Sequence, residues 1–167
     1  MSATAQIAGP RLCAQASRAE QFALWGIRLW WCRYPELDAV WPRLAQGFRA
    51  FGMPAALEPL HGFCSIALVM SEETPAIACP RCSSINSHEE RLLQILCLAA
   101  QGEGALAHQQ LLSTLPAASA RLATRHAERF AQLLTVAGLA WPRCDEPRGD
   151  RFSPIFDSHS NTSPRLH

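Results

Sequence analysis

The residues with chemical capacity in this chain come in pairs. His61-Gly-Phe-Cys64 is followed, after fourteen intervening residues, by Cys79-Pro-Arg-Cys82, an H-x2-C…C-x2-C arrangement. Imidazole and thiolate are the donors that zinc takes in tetrahedral structural sites. A C-x2-C turn folds two thiols towards one point, and Pro80 favours that turn by fixing its own φ. His61 and Cys64, three apart on a helix, stand on one face about 4.5 Å apart along the axis. The expected metal set is therefore His61, Cys64, Cys79 and Cys82 around one Zn²⁺, which would pin a loop to a helix.

Cys79 and Cys82 alone offer a second chemistry, reversible oxidation of a dithiol. Arg81 supplies a cation that favours thiolate. Thioredoxin-like motifs stand after a strand and at a helix start. Here a capping box places the helix start near Asn86, four residues too late, so that context is missing.

Two further constellations point to partners. Arg121, Arg125 and Arg129 recur at i, i+4, i+8, opposite an Ala127/Phe130/Leu134 stripe. A helix-turn-helix over 105–130 would present them to DNA phosphates or base edges. The turn contains Pro116 and no glycine, and Glu128 interrupts the basic field. Trp25, Trp30 and Trp31, with Trp41 nearby, exceed what a small core can bury completely. At least one is expected to anchor a protein partner or a second copy of the chain. No Ser-His-Asp, H-E-x-x-H or G-x-S-x-G pattern occurs, nor a glycine-rich phosphate loop. All fifteen basic residues other than histidine are arginine. The absence of lysine excludes Schiff-base chemistry and Walker-type loops.

These residues must be positioned by helices. The first is expected over Ser17 to Tyr34, ended by Pro35, and its apolar residues lie on nearly every side. Such a helix is either central in the core or covered by a partner. A second follows Asp38 and stops at Phe51-Gly52. A third starts between Pro54 and Glu58 and runs to about Met70. The segment before the CPRC, Ala76–Cys79, reads as a loop with a short extended piece. Asn86-Ser-His-Glu89 is a capping box that opens a fourth helix, ending at Gln101-Gly102. A fifth spans Gly104 to Thr114, and a sixth runs from Ala117 to Leu139. There is no convincing strand pair. The expected fold is all-α, a compact bundle of five or six helices over 17–141, with a flexible start over 1–16 and a disordered tail over 142–167.

Composition bounds the rest. With 167 residues, one domain can bury a real core. Net charge is +1, so no global field selects nucleic acid. No apolar run approaches a membrane span. Seven cysteines without a visible signal peptide suggest a reducing cytoplasm, where thiols are core residues, ligands or redox groups. The expectation is a non-enzymatic, bacterial-type protein-interaction or regulatory module stabilised by zinc. A DNA-binding regulator and a thiol–disulfide redox protein are the alternatives.

Overall fold

The computed structural model describes residues 10–144. Of the flexible start expected over 1–16, residues 1–9 lie outside the described residues, as do residues 145–167 of the tail expected over 142–167. Six α-helices carry the described part of the chain. Its β-pairing is one isolated antiparallel bridge between Leu12 and Ser84. The fold is all-α, as the pattern requires.

Helix α1 (Arg18–Arg33) opens on a capping box. Ser17 Oγ accepts from the Glu20 backbone N–H at 3.2 Å, and the Glu20 carboxylate accepts from the Ser17 N–H at 2.8 Å. Phe22, Leu24, Ile27 and Trp30 are buried, while the row Gln21, Trp25, Leu29, Cys32 is half-buried or exposed. The all-round apolar helix is thus central, with one narrow row towards solvent. It packs against α2 (Trp41–Ala50), α3 (Leu57–Ala67) and α4 (Ser87–Ala100).

Helix α4 ends at Gly102, whose φ of 80° lies in the left-handed region that only glycine enters without strain. That turn aims the Glu103 N–H at the Leu98 carbonyl at 2.9 Å, closing the orphaned helix end. Helix α5 (Gly104–Leu111) follows at once. Helix α6 (Ala117–Val136) is the spine, packed against α3, α4 and α5. Its inner face is built of small residues, Ala120, Ala123, Ala127 and Ala131, with Phe130 and Leu134 between them. Small side chains let the axes approach closely. Gly62 of α3 shows the same closeness, because a Cβ there would overlap the His126 ring of α6.

The boundaries differ from expectation in several places. Helix α3 stops at Ala67 rather than near Met70, and α6 stops at Val136 rather than Leu139. Residues 139–144, partly assigned to a tail, turn back onto the domain. Leu139, Trp141 and Cys144 pack against the core, and Gln101 Nε2 donates to the Pro142 carbonyl at 2.7 Å. Residues 11–16, expected to fray, are held as well. Arg11 bridges Glu20 at 3.0 Å and Glu90 at 2.7 Å, tying the start of the described chain to α1 and α4.

Candidate dithiol site

The Cys79-Pro-Arg-Cys82 turn lies in an irregular connection between α3 and α4, yet it is fixed on both sides. The clamp is a buried ion pair between Arg28 of α1 and Glu89 of α4, 2% and 0% exposed. Arg28 Nε and Nη2 reach the two carboxylate oxygens at 2.7 and 2.8 Å. The remaining guanidinium donors go to the loop: Nη1 to the Cys82 carbonyl at 2.6 Å, and Nη2 to the Ser84 carbonyl at 2.7 Å. Nη1 also faces Cys13 Sγ at 3.5 Å, so all five N–H groups are used. Glu89 is equally saturated. Its oxygens accept from the Ala78 N–H at 3.0 Å and, as the capping box requires, from the Asn86 N–H at 3.1 Å. The backbone immediately before Cys79 and immediately after Cys82 is therefore tied to one buried charge pair. Residues 11–13 complete the frame, with Cys13 N–H to Ser83 O and Ile85 N–H to Arg11 O, both 2.7 Å.

On this frame the Sγ atoms of Cys79 and Cys82 stand 2.7 Å apart. Cys79 is exposed and Cys82 partly so. The Cys82 thiol shares its proton with Cys79 Sγ, and the backbone N–H groups of Arg81 and Cys82 also point at that sulfur. Together they hold Cys79 below the ordinary thiol range, with a smaller contribution from the Arg28 charge. The same shared proton, with some desolvation, pushes the Cys82 thiol up. The anion is thus better supported on Cys79, and the proton better held on Cys82. A cleft of about 210 Å³ adjoins Cys82, lined also by Cys13, Gln21, Leu24, Trp25, Arg28 and Pro80.

The other half of the expected zinc set does not join this pair. His61 Nδ1 accepts from Trp30 Nε1 at 3.0 Å, and its ring meets Trp41 edge-on at 5.4 Å. Cys64 is fully buried, and desolvation pushes its thiol well up. Among the described residues no group of three or more His, Cys, Asp or Glu side chains is placed to hold a metal ion. The separation has a physical reason. The loop folds onto α1 and α4, where Arg28 and Glu89 wait, rather than onto the His61 face of α3.

Trp30 is 1% exposed and belongs to the core, so it is not a surface anchor. Trp25 is half-buried against Phe22 and Phe48 and forms a wall of the dithiol cleft. Trp31 is half-buried and stacks on the exposed Tyr34, with ring centroids 5.8 Å apart. Arg121, Arg125 and Arg129 are all exposed along α6, with Leu122 and Glu128 among them. Arg28 and Cys13 were not among the expected site residues. The signal for Arg28 was present: it is the one charge inside the run Phe22–Cys32. Cys13 carries no such signal.

No helix among the described residues is long and apolar enough to cross a membrane. No family model, no curated protein and no solved structure matches the chain. What the fold and the site define together is an all-α domain that presents an anchored surface dithiol.

Proposed function

We propose that the protein is a redox-responsive regulatory module whose working site is the Cys79/Cys82 dithiol. The carrying observation is that the two sulfurs stand 2.7 Å apart at the surface, on a loop clamped by a buried ion pair. The exposed Cys79 thiolate attacks an incoming disulfide and forms a mixed disulfide, releasing one thiol of the oxidant. Cys82 then attacks Cys79 Sγ and expels the second. The protein loses two electrons and two protons, and the oxidant's disulfide becomes two thiols. The cleft beside Cys82, walled by Trp25, gives a partner's sulfur a place to approach. Alkylation of the reduced chain at neutral pH tests the asymmetry. Cys79 should be modified several-fold faster than Cys82, and Cys82→Ala should slow it by removing the shared proton. Equal, sluggish rates at both sulfurs would contradict the reading, as would one equivalent of zinc protecting both.

The exposed arginine row of α6 supports a second reading, contact with DNA phosphates. It requires binding to duplex DNA that falls steeply with salt and weakens on Arg125→Ala. Absence of salt-sensitive binding at low ionic strength would remove it.

A further inference from the structure

A second pair of sulfurs stands far from the first in sequence. Cys144 Sγ donates to Cys97 Sγ at 2.7 Å, across a separation of 47 residues that encloses all of α5 and α6. Cys97 is fully buried within α4, and Cys144 is partly exposed. Their approach does not depend on the sulfurs alone. The Cys97 thiol donates to the Pro142 carbonyl at 3.1 Å, and Gln101 Nε2 donates to the same oxygen at 2.7 Å. Leu139 and Trp141 pack on the core beside them. Cys144 is thus delivered to Cys97 by an anchored segment. A cleft of about 350 Å³, lined by Gln94, Leu98, Leu106, Gln109, Gln110 and Cys144, opens on the outer sulfur. Its amide side chains and apolar walls suit a small peptide-like disulfide.

We propose that Cys97 and Cys144 form a reversible disulfide clasp that locks residues 139–144 onto α4, formed by exchange with a low-molecular-weight disulfide. The burial pattern fixes the order of events. Cys144, reached through the cleft, attacks the oxidant's S–S bond as thiolate and releases one reduced thiol. Cys97, which no oxidant reaches directly, then attacks Cys144 Sγ, gives up its proton and displaces the second thiol. Two protein thiols lose two electrons and two protons, and the oxidant gains both. Closing so long a loop removes conformations from the unfolded chain, so the oxidised form melts higher, by on the order of 10 °C.

The test uses the full chain equilibrated with oxidised glutathione, quenched in acid, alkylated after denaturation and mapped by peptide mass. The expected result is a Cys97–Cys144 cross-link and a raised melting temperature. Cys144→Ala, at a half-exposed position, should fold normally and lose both. Cys144→Ser, closer in size and polarity, should do the same. A Cys79→Ser/Cys82→Ser variant should retain both, which separates this clasp from the function proposed above. Recovery of Cys97 and Cys144 fully alkylated, or a cross-link without a rise in melting temperature, would overturn it.

Discussion

At the scale of residues, the dithiol owes its geometry to Arg28 as much as to its own cysteines. A buried guanidinium with all five donors engaged is stable only while Glu89 remains beside it. Removing one partner leaves an uncompensated charge in the interior. Arg28→Met should cost about 3–5 kcal/mol of stability in urea titrations, because Glu89 stays buried and unpaired. Arg28→Met combined with Glu89→Met should recover a good part of that loss, since two apolar chains replace the whole pair. Each variant should also free the loop and erase the preferential labelling of Cys79. The H-x2-C…C-x2-C spacing was legible as chemistry, but which residues the fold would bring together was not. That depended on Arg28, whose partners Cys82, Ser84 and Glu89 lie 54 to 61 residues away in the chain. Local spacing cannot show a contact of that range. Nor can it show that Trp30 donates to His61, an interhelical hydrogen bond between residues 31 apart.

At the scale of elements, helix α4 links the core to the site through its cap. Asn86 Oδ1 accepts from the Glu89 N–H at 2.9 Å, and Asn86 Nδ2 donates to the Ala76 carbonyl at 2.8 Å. One side chain therefore starts the helix and holds the loop that leads to Cys79. Asn86→Ala should cost about 1–2 kcal/mol, above a plain cap loss, because the Ala76 contact goes with it. Chemical denaturation measures the loss, and faster amide exchange at residues 76–79 would show where it acts. This cap was readable from Asn86 and Glu89 alone, as were the glycine stop of α4 and the apolar stripe of α6. Those signals are local and repeat at helical spacing. Helix ends next to irregular backbone were harder to read. Residues 11–16 and 139–144 have no periodicity, and ion pairs and side-chain amides from distant helices hold them.

At the scale of the whole molecule, the fold separates two kinds of sulfur. Cys64 is sealed in the core and its thiol is held protonated by burial. Cys79 sits outside, and its anion is supported by hydrogen bonds. The signs of their pH dependence are opposite. A thiol whose folded pKa is raised stabilises the fold below the unfolded thiol value and loses that stability as pH climbs past it. Stability should therefore fall above about pH 8.5, by up to roughly 1.4 kcal/mol per pH unit for Cys64 alone. Cys64→Ala should flatten that alkaline limb in a series of urea titrations, although it lowers stability at neutral pH. Cys79 has a lowered folded value. Its stabilising contribution is present above the unfolded thiol value and is lost as pH falls through the lowered one, and the raised Cys82 thiol beside it contributes with the opposite sign. An exposed sulfur on an anchored loop beside a closed core is what the proposed redox role requires, oxidation without unfolding.

A redox titration of the full chain against mixtures of reduced and oxidised glutathione tests the dithiol most directly, with the products mapped by mass. The prediction is a reversible two-electron transition in which a Cys79–Cys82 disulfide forms and is reduced again, with Cys64 protected throughout. If Cys79 and Cys82 remain reduced across the range, or carry only separate glutathione adducts that never resolve into a disulfide, the sulfurs are not a working pair.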